Sequence, residues 1–212
     1  MKNLKKLLQI TTLLTLTIII SSCSNDDDDN ITMMQPETIT EIAAAIPPGV
    51  ASFLLTSKQD VKSIVEQQRR LRTNTIQLVD RLVEGTYKEL KEALPGISVI
   101  QVIHVCGDES VEEAVSVSKD VDGILLDSGN QSLEIKELGG TGRTHNWEIS
   151  RRIVELVNVP VFLAGGLNAN NVKEAVRAVN PFGVDLCSGV RKNGNLDEKK
   201  LADFFKVVRD ID

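Results

Sequence analysis

Residues 159–172, VPVFLAGGLNANNV, and residues 183–191, GVDLCSGVR, share one plan. Each is a short apolar run that reads as a strand, opens into a glycine turn and then starts a helix. Unpaired amides in such a turn, together with a helix dipole, favour an anion. Glycine belongs there because a Cβ would hold the backbone away from the ligand. Residues 122–128, DGILLDS, form a third apolar run ending in a turn. Two tandem turns at βα spacing form a candidate phosphate cradle and place the chain in the α/β class.

Strand and helix patterns alternate from about residue 37. Helices are expected at Glu37–Ala45, Asp60–Arg70, Glu84–Leu94, Ser110–Lys119, Trp147–Val157, Asn168–Val179 and Glu198–Ile211. Strands are expected at Val50–Leu55, Asn74–Val79, Ile97–Val105, Asp122–Asp127, Val159–Ala164 and Gly183–Cys187. Such βα units build either an open doubly wound sheet or a closed barrel. No GxGxxG follows a first strand, which weakens the dinucleotide-binding option. Paired phosphate turns on the last two strands favour a (β/α)8 TIM-type barrel.

Composition agrees with buried parallel strands. Hydrophobic residues make up 42% of the 212 and aromatic ones 3%, so Val, Ile, Leu and Ala must fill the core. The net charge of −6 comes with no basic stripe, which argues against a nucleic-acid partner.

The N-terminus has a different character. Lys2, Lys5 and Lys6 precede an apolar stretch, Leu7–Ile20, and small residues then lead into Cys23. At about 14 residues the stretch is short of the roughly 20 that span a bilayer, and its layout is that of an export signal. ISSC at residues 20–23 resembles the lipobox of bacterial lipoproteins, in which the cysteine is lipidated and becomes the new N-terminus. Residues 1–22 are therefore expected to be a signal peptide. Residues 23–36, with Asp26–Asp29 at their centre, would be an acidic tether, and residues 37–212 the folded domain. The membrane would be a partner through the lipid on Cys23, outside the cytoplasm. With Cys23 so used, Cys106 and Cys187 are expected to be small buried hydrophobes.

DGILLDS, ELGGTGRTHNW at 137–147, VPVFLAGGLNANNV, PFGVDLCSGVR and LDEKKLADFF at 196–205 together resemble the phosphoribosylanthranilate isomerases. These enzymes carry out the Amadori rearrangement of tryptophan biosynthesis. The resemblance is tight from Asp122 onward and looser over Asn74–Ser110, where QLVD stands in place of the usual QLHG. It implies a TIM barrel whose third to eighth strands are recognisable from Val50 to Cys187. The family's first strand, with its KICGIT motif, and its second strand have no counterpart. The barrel is thus expected to be incomplete, with open edges. Either a second copy of the chain closes the gap as a homodimer, or part of Leu7–Thr40 folds into it, or the chain is a remnant.

The resemblance also implies roles. Asp127 matches the general acid that protonates the ribose ring oxygen. Gly165, Gly166, Ser188 and Gly189 match the phosphate-binding turns. Gly140, Thr141, Gly142 and Arg143 match the loop that folds over the substrate. The family's general base is a cysteine on the missing first strand, so none is assigned. No cofactor or metal is implied, because an Amadori shift needs only proton transfers. The partner would be a phosphorylated small molecule. An exported, lipid-anchored pseudoenzyme that binds such a molecule or a protein is the alternative. His104 and His145 lie on different units with no ligand partners in view, and Trp147 reads as a packing anchor beneath the loop.

Overall fold

The computed structural model describes residues 16–18, 35–129 and 144–211. Cys23, Gly140, Thr141, Gly142 and Arg143 lie outside the described residues. The main sheet has seven parallel strands in sequence order. They are β1 (Leu16–Ile18), β2 (Ser52–Thr56), β3 (Thr75–Leu78), β4 (Ser98–His104), β5 (Gly123–Asp127), β6 (Val161–Leu163) and β7 (Gly183–Val184). Helices α1 (Pro36–Ala45), α2 (Val61–Leu71), α3 (Tyr87–Ala93), α4 (Glu109–Val117), α5 (Trp147–Leu156), α6 (Val172–Val179) and α7 (Glu198–Arg209) alternate with them. None of the described helices is long and apolar enough to cross a membrane.

The six strands from β2 onward fall where the alternation of apolar runs puts them. One further strand precedes them: β1 comes from the stretch that reads as an export signal, and it pairs in parallel with Ser52–Leu54. The sheet has no pairing between β7 and β1 among the described residues.

Side-chain alternation splits the core into two faces. Leu54, Ile76, Leu78, Val99, Ile103, Ile124, Leu126 and Leu163 point outward to the helices and are buried there. Phe53, Ile100, Val102, Leu125, Phe162 and Ala164 form a separate inner cluster. Within it the rings of Phe53 on β2 and Phe162 on β6 meet edge to face, with centroids 6.1 Å apart. Those strands are four places apart in the sheet, and at about 4.8 Å per place a flat sheet would separate them by roughly 19 Å. The sheet must therefore curl around this layer, as a TIM-type barrel wall does.

Local chemistry sets the element ends. Helix α3 starts at Tyr87 and not at Glu84, because Gly85 takes φ +89° and Thr86 then forms a capping box with Glu89. Helix α6 starts at Val172, after a turn in which the Asn168 carbonyl accepts from the amides of Asn171 and Val172. Strand β7 stops at Val184, where Ser188–Val190 winds into a single 3₁₀ turn. A two-stranded hairpin, β8 (Arg191–Lys192) with β9 (Asn195–Leu196), follows that turn. Its turn is Asn193-Gly194, both at positive φ, the pairing that suits a tight hairpin.

The inner cluster makes Phe162 a keystone, 6% exposed and in edge contact with both Phe53 and Phe182. Phe162→Ala should cost about 3–5 kcal/mol, read from the midpoint of urea unfolding. A cost typical of a surface site would mean that the inner layer does not hold the curl.

Candidate functional site

Counting by twos along the inner face leads from Leu125 to Asp127 on β5 and from Ile100 and Val102 to His104 on β4. Both residues end their strands, and they are register partners. Asp127 is 9% exposed and His104 is 7% exposed. Asp127 Oδ1 accepts from the Ser128 amide at 2.7 Å. Burial pushes the Asp127 carboxyl above the usual carboxylate range, against the Ser128 amide, then His104 and the Ser128 hydroxyl. A carboxyl held in that way can keep a proton to give, which a general acid requires.

The two glycine turns lie one and two strands further on. Gly165 and Gly166 take φ +83° and +62°, a conformation only glycine adopts freely. The Gly166 carbonyl is gripped by the amide groups of Asn168, at 3.1 Å, and Asn171, at 3.0 Å. The Asn171 side chain also accepts from the Asn168 amide, so the asparagines of NANN fix the turn's shape. The second turn rests directly on the first. A Cβ on Gly189 would sit 1.9 Å from the Leu167 carbonyl oxygen. A cavity of about 420 Å³ is lined by Gly166, Asn168, Ser188 and Gly189 from the two turns and by Lys200 and Asp203 from α7.

Both histidines turn out to flank the same strand end, although they come from different units. A Cβ on Gly165 would lie 3.0 Å from His145 Nδ1 and 3.1 Å from the Ser128 amide nitrogen. Gly165 thus lies close against both His145 and Ser128. His145 Nε2 is 2.7 Å from the hydroxyl of fully buried Ser150 on α5, and desolvation lowers the pKa of the ring to about 4. His104 could have been found in the sequence, since it continues the inner parity of Ile100 and Val102. No local pattern announces His145, which arrives with the start of α5.

The cysteines differ from expectation. Cys106 is exposed and Cys187 only partly buried, because both lie past the last residue of their strands, in turns. Burial pushes both thiols up, and Glu109 and Glu113 add to the effect at Cys106. At Cys187, Arg191 opposes the rise while Asp185 and Asp127 add to it. Both are therefore thiols at neutral pH, not ready bases. Trp147 packs against the outer core, as an anchor would.

Comparison with known proteins bears on what this arrangement is. The family model of N-(5'-phosphoribosyl)anthranilate (PRA) isomerase matches residues 19–207. The chain belongs to the PRA isomerase family. The N-(5'-phosphoribosyl)anthranilate isomerase of Methanocella arvoryzae is 35% identical over 180 residues, covering 84% of this chain and 81% of that one. The isomerase structure from Pyrococcus furiosus superposes with a TM-score of 0.69 at 23% identity, over 91% of this chain and 86% of that one. A further solved family structure holds reduced 1-(o-carboxyphenylamino)-1-deoxyribulose 5-phosphate. It has a TM-score of 0.65 at 24% identity and covers 84% of this chain and 80% of that one. The fold is thus that of the PRA isomerases.

Gly189→Ala tests the joint between the turns. The methyl group has no room against the Leu167 carbonyl, so a loss of about 1–3 kcal/mol in stability is expected. Inorganic phosphate should also cease to raise the melting temperature. Retained phosphate stabilisation would place the anion site elsewhere.

Proposed function

We propose that this protein is a PRA isomerase that opens the ribose ring of N-(5-phosphoribosyl)anthranilate and carries it to the aminoketose. The observation that carries the reading is Asp127. Its carboxyl, pushed above the usual carboxylate range by burial, stands on the inner face at the carboxyl end of β5, beside two stacked glycine turns.

In this reading the amides of Gly165, Gly166, Ser188 and Gly189 take the phosphate. The family resemblance gives Gly140, Thr141, Gly142 and Arg143 the role of covering the substrate. Asp127 gives its proton to the ring oxygen as the bond from that oxygen to the anomeric carbon breaks. The ring oxygen keeps the bonding pair, and the nitrogen lone pair forms the C=N bond. A base takes the proton from the neighbouring carbon; that C–H pair becomes the C=C bond of the enaminol and the C=N pair returns to nitrogen. Proton return to the former anomeric carbon, with loss of the hydroxyl proton, gives the ketone. No electrons leave or enter, so proton transfer suffices. Support comes from the family membership and from the phosphorylated analogue held by a solved relative.

A second reading concerns the N-terminus, and the ISSC sequence at 20–23 carries it. We propose that Cys23 is lipidated after removal of residues 1–22, leaving residues 23–36 as a tether for a domain at 37–212. That cleavage would remove Leu16–Ile18 and leave β2 as the sheet edge. Export and β1 pairing therefore use the same residues and exclude one another in a single molecule.

Asp127→Asn should lower turnover about 10²–10⁴-fold, followed by the change in anthranilate fluorescence. The same variant should gain stability relative to the parent as pH rises. A carboxyl whose pKa is raised by folding contributes fully at low pH, and loses that contribution as pH climbs through its folded titration. Turnover by the variant equal to that of the parent would remove Asp127 from the mechanism. For the N-terminus, cells expressing the full chain should incorporate radiolabelled palmitate into it, and Cys23→Ala should abolish the label. An unlabelled chain that keeps residues 1–22 would leave β1 in the sheet and end the lipoprotein reading.

A further inference from the structure

Glycine has no side chain to cover its own peptide nitrogen, so an asparagine or aspartate before it is open to attack from the backbone. The chain has one pair of each kind, Asp122-Gly123 and Asn193-Gly194. The structure treats them oppositely. Both carboxylate oxygens of Asp122 are engaged, by the Lys91 ammonium at 2.6 Å and the Val99 amide at 2.9 Å. Gly123 starts β5, where a Cβ would lie 2.8 Å from Ile100 and 3.1 Å from the Pro160 carbonyl. That pair has no room to react. Asn193 and Gly194 form the tip of the β8–β9 hairpin, which is exposed throughout. A Cβ on Gly194 would meet nothing within 4 Å. Among the described residues, neither the Asn193 side chain nor the Gly194 amide makes a hydrogen bond.

We propose that Asn193 is a site of spontaneous modification, which converts it to isoaspartate and thereby loosens the second glycine turn. The Gly194 nitrogen gives its proton to solvent and attacks the side-chain carbonyl carbon of Asn193. A C–N bond forms there, the bond to the side-chain nitrogen breaks, and that nitrogen takes a proton from solvent and leaves as ammonia. Water then adds to the cyclic imide. Opening at the side-chain carbonyl gives aspartate. Opening at the main-chain carbonyl leaves the side-chain carbons in the backbone and frees a carboxylate, which is isoaspartate. Nothing is oxidised or reduced, and water is the only co-reactant.

Ring closure requires Asn193 to leave its turn conformation at φ +51°, so the hairpin has to open first. Two residues on each side hold it, and a hairpin so small is marginal in water. Its side-chain bonds are long ones, from Arg191 to the Gly194 carbonyl at 3.4 Å and from Asn195 to the Asn193 carbonyl at 3.3 Å. The consequence follows from what the hairpin is tied to. The Val190 carbonyl accepts from the Asp197 amide at 2.8 Å, and the Arg191 carbonyl from the Lys200 ammonium at 2.7 Å. These bonds clamp the end of the Ser188–Val190 turn to the start of α7. Isoaspartate adds a carbon to the backbone of a two-residue turn that has no slack. The pairing of Arg191 with Leu196 and of Lys192 with Asn195 is then lost, and the clamp loosens with it. Neither the modification nor the clamp depends on the isomerase reading.

The test is to hold the full-length protein at mildly alkaline pH for days and map its peptides by mass spectrometry, with fragmentation that separates isoaspartate from aspartate. The peptide holding Asn193 should gain the mass of an amide-to-acid exchange, chiefly as isoaspartate, while the peptide holding Asp122 stays unchanged. Asn193→Gly keeps a residue suited to positive φ and should remain intact. In the aged parent the Asp197 amide should exchange with deuterium about tenfold faster than in fresh protein, and in the aged variant no faster. A synthetic peptide of residues 188–198 sets the unprotected rate. Conversion of that peptide without conversion of the protein overturns the proposal, because the hairpin then shields the site. Conversion with unchanged exchange at Asp197 overturns the link to the turn. If the turn holds phosphate, ageing should also shrink the rise in melting temperature that inorganic phosphate gives the fresh protein. A fresh protein without that rise counts against the phosphate reading, while the peptide map and the exchange still decide the modification.

Discussion

The inward curl of a parallel sheet around a small apolar layer governs everything else in this chain. Phe53 and Phe162 meet across that layer from strands four places apart, with Ile100, Val102 and Leu125 between them on the same face. Burial of the aromatic pair stabilises the curl through its area and its edge-to-face geometry. Once the sheet is curved, the strand ends converge, and residues far apart in sequence share one mouth. Asp127, His104, Ser128 and the glycine turns meet there for that reason.

The mouth combines two environments with opposite demands. Asp127 sits at the top of the apolar layer, where desolvation favours its protonated form. The turns beside it are made of backbone, with positive φ at Gly165 and Gly166 and a direct stacking of Gly189 on Leu167. A protonated acid suits ring opening, and exposed amides suit an anion. The asparagines of NANN serve the second demand by holding the Gly166 carbonyl from two sides.

Much of this was legible in the chain before folding. The strand periods, the helix-ending prolines and glycines, and the two glycine turns pointed to the α/β class and favoured a barrel, and the family resemblance singled out Asp127 at the end of its strand. Other features escaped local reading. Gly85 and the Thr86 capping box moved the start of α3. The Asn193-Gly194 hairpin carried its own signal and still lay hidden between stronger ones. Cys106 and Cys187 are small and apolar by residue type, yet the strands end before them and leave them in turns.

What the sequence determined by itself was the repeating βα plan, because periods of two and 3.6 residues are local properties that survive in any context. It also determined the turns, since glycine's freedom at positive φ needs no neighbour. Only the tertiary structure decided which residues meet. His145 reached Gly165 through the placement of the segment leading into α5, and His104 met Asp127 through a β4–β5 register that neither strand encodes alone. It also gave Leu16–Ile18 a place beside Ser52–Leu54, because a curled parallel sheet leaves an open edge that any apolar segment within reach can pair with.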